Sequence, residues 1–134
     1  MRTTLLVLAA CTLSFAIGFG AIWMAAGWPM AFVVVLPVLY GLVWSLPYLA
    51  DRLMSRRLGG FRSTLVYPLA AAGLEFINGS TNPVGAWGAT GFTQYGELPL
   101  MQLASVTGMI GITFLMGWFA SVTNWAWENR ARGP

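Results

Sequence analysis

With 134 residues, 57% of them hydrophobic and only 8% charged, this chain cannot present the surface of a soluble domain, where about 25% of residues are charged. A mean hydropathy of +0.70 points to an exterior that lipid accepts and water does not. The net charge of +3 comes from seven arginines against four acids, and the absence of His and Lys excludes imidazole bases, histidine metal sites, Schiff bases and phosphate-binding lysines.

These quantities predict an all-α integral membrane bundle of about four transmembrane helices with a long outward-facing loop rich in Gly, Trp and Pro. A single transmembrane domain is expected over 1–134, with spans at about 5–27, 30–50, 63–79 and 103–127 and a polar outer loop at 80–102. Thr3 to Ala50 contains no Asp, Glu, Lys or Arg, and about 20 apolar residues suffice to cross a bilayer. Trp28-Pro29 divides that run into a helical hairpin, because proline is well placed at a helix start. Only four apolar residues, Leu5 to Leu8, precede Ala9-Ala10-Cys11, whereas a signal peptide needs an apolar region of about 7 to 15. The likeness to a lipoprotein signal is therefore read as chance, and Cys11 as a small buried residue. Pro37 sits mid-span in the second helix, where it shapes packing, and Pro47 lies near the inner end.

The third run, Thr64 to Ile77, has fourteen residues, about 21 Å of helix against a hydrocarbon core of about 30 Å. It must borrow residues beyond Ile77 or stop short. The fourth, Leu103 to Trp127, is long enough to span with tilt. Small residues recur there at four-residue spacing, Thr113, Gly117 and Ser121 on one stripe and Ala104 and Gly108 on another; Ala10, Ser14 and Gly18 do the same in the first helix. Such stripes let helices approach closely in lipid.

Arg2, then Arg52, Arg56, Arg57 and Arg62, then Arg130 and Arg132 fall on one side of a four-span bundle. The positive-inside rule makes that side cytoplasmic, places both termini inside and turns the 80–102 loop outward. Trp44, Tyr48, Trp125 and Trp127 suit the inner aromatic belt, and Trp23 and Trp28 the outer one. With spans flanking the arginine cluster, no nucleic-acid partner is expected.

Glu75 is the only charge between Ser63 and Gly96. A carboxylate at depth is costly and usually faces a bundle interior or a watery cavity. On a helix, Asn78 and Gly79 share its face and point the site toward the polar loop. Two readings stand equally: a proton, cation or substrate-orienting site, or a carboxylate that hydrogen-bonds loop amides and holds the loop in place. A single cysteine excludes an internal disulfide, and no catalytic set, metal site or cofactor is expected in this chain.

The loop NPVGAWGATGFTQYGELPLMQ, Asn82 to Gln102, is longer than a helix connection requires. Gly85, Gly88, Gly91 and Gly96 permit tight or left-handed backbone, Pro83 and Pro99 break helices, and Trp87, Phe92 and Tyr95 supply large amphipathic rings. The composition suits a compact cap folded back on the outer surface, its backbone satisfied by its own turns and by amides such as Gln94. It would line access for a lipid or acyl chain, or seal the helix ends.

An ordered set of residues carries a family resemblance: Pro68 and Glu75 in one helix, then Pro83, Trp87 and Gly88, then Gly91-Phe92-Thr93-Gln94, then Pro99, then Gln102-x-Ala104 with Gly108, Gly111 and Thr113-Phe114. Over Leu65 to Phe114 this resembles the membrane part of the apolipoprotein N-acyltransferases and of closely similar membrane-bound members of the carbon–nitrogen hydrolase (nitrilase) superfamily. Pro83 and Trp87 are separated by three residues where the family has Pro and Trp adjacent, and the outward-facing hydrolase domain with its Glu–Lys–Cys triad has no counterpart here. The resemblance implies a bacterial inner-membrane enzyme that takes an acyl chain from a phospholipid and passes it to the N-terminal amine of a lipoprotein, with the catalytic domain missing or separate. It further implies that Trp87, Phe92, Gln94 and Tyr95 form a lipid-facing floor, with Glu75 and Asn78 as the intramembrane polar residues behind it. The stop at Asn129 to Pro134, where the family turns back for another span, suggests a fragment. Two other classes remain open: a small proton-coupled transporter using Glu75, and a non-catalytic membrane scaffold.

Overall fold

The computed structural model describes residues 2–83, 85–86 and 88–131. Among these there is no strand, and the helices in chain order are α1 (Arg2–Ala25), α2 (Met30–Trp44), α3 (Leu46–Leu58), a 3-10 helix (Gly60–Leu65), α4 (Val66–Thr81), a second 3-10 helix (Thr90–Gln94) and α5 (Leu98–Ala131). Three stretches are long and apolar enough to cross a membrane, Thr3–Ala25, Met30–Leu58 and Leu98–Arg130. α4 is not among them: its 16 residues rise only about 24 Å. The all-α membrane architecture matches the expectation from composition, and the short third helix is the one whose length fell below the bilayer. The chain divides into two compact units, Met1–Leu49 and Ala50–Pro134.

In the first unit α1 and α2 form the expected hairpin. α1 ends because Gly27 takes a left-handed φ of 72°, letting Trp28 N–H reach Trp23 C=O at 3.1 Å and Gly27 N–H reach Met24 C=O at 3.0 Å, a capping pattern that satisfies the last carbonyls. Pro29 then precedes the first residue of α2. The two helices approach closely at Gly41, where a Cβ would lie 2.8 Å from both the Cα and the N of Thr12. Phe15 fills the neighbouring space against Tyr40, with ring centroids 5.3 Å apart, and Trp44, at 6.2 Å. The Ala10–Ser14–Gly18 stripe, expected to carry helix packing, is exposed instead, and no atom stands within 4 Å of a Cβ at Gly18. Aromatic volume placed Thr12 and Phe15 at the contact. Cys11, expected buried, is half-buried.

α2 gives way to α3 at Ser45, since Pro47 has no N–H to return to Val43; the buried Ser45 hydroxyl bonds the Leu42 carbonyl at 2.7 Å. The helix then continues to Leu58, past the end at Ala50 expected from the apolar run.

The second unit packs α4 against α5, with both 3-10 helices laid on α5. Gly117 makes the close approach: a Cβ there would lie 3.3 Å from Pro68 Cα and Cβ. The expected Thr113–Gly117 stripe is thus a contact face. Gly108 serves a different purpose from its stripe. It breaks α5 with φ 67° and ψ −178°, a backbone region essentially confined to glycine. Ile112 and Pro68 are fully buried at the centre of the unit, with Val66, Ala72, Thr64, Glu75 and Thr113 around them.

Candidate functional site

Glu75 lies in the tenth position of α4 and is 5% exposed. A buried carboxylate needs donors for its lone pairs, and the loop and α5 provide them. Oε1 accepts the Thr90 backbone N–H at 2.9 Å and also the Thr90 hydroxyl. Oε2 accepts the Thr113 hydroxyl at 2.7 Å. Thr113 Oγ1 in turn accepts the Gly91 N–H at 3.1 Å. Four hydrogen bonds therefore close a ring through α4, the loop and α5, and the start of the 3-10 helix Thr90–Gln94 is held by a charge-assisted network.

Gly91 is there because nothing larger fits. It is buried, and a Cβ would sit 2.7 Å from the Met109 carbonyl oxygen and 3.2 Å from Met109 Cε. Met109 immediately follows the break at Gly108. Among the described residues of the loop, successive turns pair backbone groups, Gly85 N–H to Asn82, Ala89 to Ala86, Phe92 to Ala89, Tyr95 to Phe92 and Glu97 to Gln94, all between 2.9 and 3.1 Å. Asn78 is half-buried and gives its backbone carbonyl to the Asn82 N–H at 2.8 Å, capping α4. A Cβ on Gly79 would rest 3.7 Å from Ala86, where the loop folds back over the helix end.

Trp87 lies outside the described residues. Phe92 and Tyr95 are exposed, 47% and 85% respectively, so their rings face away from the protein. Gln94 is half-buried, its amide Nε2 donating to Thr93 Oγ1 at 3.2 Å, and it borders an apolar groove of about 610 Å³ together with Leu100, Leu115, Trp118, Phe119 and Phe61. The structure thus brings Glu75 together with the loop backbone but separates Gln94 from the outward rings of Phe92 and Tyr95. Thr90 was not singled out from the sequence, where nothing distinguishes it from Thr93. The groove was also passed over, although Leu115, Phe119 and Val122 recur at helical spacing on the face opposite Thr113 and Gly117. Among the described residues no three His, Cys, Asp or Glu side chains come together to hold a metal.

Known proteins point in one direction. The apolipoprotein N-acyltransferase of Geobacter metallireducens is 37% identical over 57 residues, which are 42% of this chain and 11% of that protein, so the match spans about a tenth of the relative's length. No solved structure matches the chain. The apolipoprotein N-acyltransferase N-terminal domain family matches residues 1–122, a range that takes in Glu75, its threonine partners, the whole loop and the groove. The chain therefore belongs to the apolipoprotein N-acyltransferase N-terminal domain family.

Proposed function

We propose that this chain is the membrane-embedded portion of an enzyme that transfers an acyl chain from a phospholipid to the N-terminal amine of a lipoprotein, and that it shapes lipid access for a catalytic domain not contained in these 134 residues. In this reading it sits in a bacterial inner membrane with both termini cytoplasmic and the loop toward the outer leaflet. The observation that carries it is the ring of hydrogen bonds that joins Glu75 to Thr90 and Thr113, and Thr113 to Gly91. By helix rise, Thr113 stands about 18 Å along α5 from Trp125, against a hydrocarbon core of about 30 Å. With Trp125 at the inner interface, the docked start of the loop lies within the apolar layer, a preformed polar-backed floor rather than a strap across the surface. Phe92 and Tyr95, turned outward from that floor, are placed to meet acyl chains, and Gln94 to meet the edge of the groove.

Three donors on one carboxylate also support the loop-holding role of Glu75 over a transporting one, which needs a carboxylate free to exchange its ligand. The test uses the enzyme carrying this domain together with its catalytic domain, reconstituted in phospholipid vesicles. Phe92→Ala with Tyr95→Ala is expected to lower acyl transfer by raising the KM for phospholipid, with the fold intact by circular dichroism. Unchanged KM and kcat in that variant would reject the floor.

A further inference from the structure

A second surface lies at the arginine-bearing end of the Ala50–Pro134 unit, and acyl transfer gives no account of it. Arg52, Arg56 and Arg57 lie on α3, and Arg62 follows the Gly59-Gly60 turn, both of whose glycines have positive φ. Asp51 is the only acid between Ala50 and Leu74, and its Oδ1 already accepts the Ser55 hydroxyl at 2.7 Å. Arg56, Arg57 and Arg62 are exposed and have no hydrogen-bond or ion-pair partner among the described residues. Leu53, Met54, Leu58 and Phe61 are interleaved with them and are also at least half exposed.

Guanidinium groups interleaved with bare apolar side chains fit neither plain water nor hydrocarbon alone. They fit the boundary between them, where apolar stems enter the acyl region and charge meets headgroups. The depth is set by the fold: Phe61 meets Trp125 edge-on at 5.5 Å, and Trp118 Nε1 donates to Thr64 Oγ1 at 3.3 Å, fastening the Gly60–Leu65 segment to α5. We propose that this segment is a docking surface for anionic phospholipid headgroups of the adjoining leaflet, with Arg56, Arg57 and Arg62 binding the phosphodiester oxygens. Arginine suits that role because its planar fork binds phosphate through two parallel hydrogen bonds. The inference requires membrane insertion only and is independent of the acyl-transfer reading.

The purified chain in micelles containing equal phosphatidylglycerol and phosphatidylcholine, with retained lipid counted by native mass spectrometry, tests it. Phosphatidylglycerol is expected to be enriched, by a margin that falls about five-fold for each arginine removed and shrinks as salt is raised. The triple variant Arg56→Gln, Arg57→Gln, Arg62→Gln is expected to retain both lipids equally. The single variants Arg56→Gln and Arg57→Gln, at exposed positions that leave the fold alone, are expected to show intermediate enrichment. Equal retention by the unmodified chain, or undiminished enrichment in the folded variants, would overturn the proposal. So would loss of enrichment when inorganic phosphate replaces chloride at constant ionic strength, which would mark a phosphate site instead of a lipid one.

Discussion

Replacing Glu75 by Gln isolates the charge of the loop-docking ring from its shape. The Gln carbonyl oxygen can still receive the Thr90 N–H and hydroxyl, but the amide group now faces Thr113 Oγ1, whose proton loses its acceptor. Hydrogen bonds to a charged group contribute about 1.5–3 kcal/mol and neutral ones about 0.5–1.5, so the two Thr90 bonds, each weakened by about 1–1.5 kcal/mol, reduce docking by about 2–3 kcal/mol before the loss at Thr113 is added. Glu75→Ala removes all three bonds and leaves the buried Thr113 hydroxyl unpaired, for a total of about 5 kcal/mol or more. Amide hydrogen exchange in nanodiscs reads this directly at Thr90 and Gly91. Local opening sets their exchange, and each 1.4 kcal/mol is about tenfold, so Glu75→Gln is expected to speed both by at least about thirty-fold. Amides of α1 should not change. If Thr90 and Gly91 exchange at the original rate in Glu75→Ala, the ring does not hold the loop.

Other outcomes follow from the close approaches. Gly91→Ala should undock the loop with Glu75 intact, because the new methyl meets the Met109 carbonyl oxygen; exchange at Thr90 should rise about as much as in Glu75→Gln, an overpacking cost of about 1–3 kcal/mol. Gly41→Ala should weaken the α1–α2 hairpin by about 1–3 kcal/mol through contact with the Thr12 backbone, measurable as a lower midpoint in thermal unfolding in detergent, while Gly18→Ala, which meets nothing, should leave that midpoint unchanged or raise it. Gly108→Ala should cost about 1–3 kcal/mol or straighten α5, since the glycine-only backbone at the break is closed to alanine; spin-label distances across the break would register the straightening.

Much of the architecture was legible without coordinates. Two uncharged runs, one proline at their junction and the shortfall of Thr64 to Ile77 against bilayer thickness were enough to anticipate the hairpin, the long final helix and the short third one. Helix boundaries were harder. The second helix was expected to stop near Ala50, where the apolar run ends, but a helix can leave the membrane and continue as an amphipathic segment to Leu58. The small-residue stripes were legible only in part: Thr113 and Gly117 do face α4, while Ala10, Ser14 and Gly18 are exposed and Gly108 acts through its backbone. Four-residue spacing identifies a face, and large neighbours such as Phe15 decide whether that face is used.

The sequence alone determined the solvent, because hydrophobic and charged content is a property of composition, and it marked Glu75, because a carboxylate in an apolar run is conspicuous in one dimension. It left the role of Glu75 open between two readings. Only the tertiary structure brought Thr90, fifteen residues on, and Thr113, thirty-eight residues on, to the two oxygens of that carboxylate. Hydrogen bonds have a range of about 3 Å and a direction. Such bonds exist only where helix packing and a loop with a glycine at the right place bring the donors in, and spacing along the chain does not encode that.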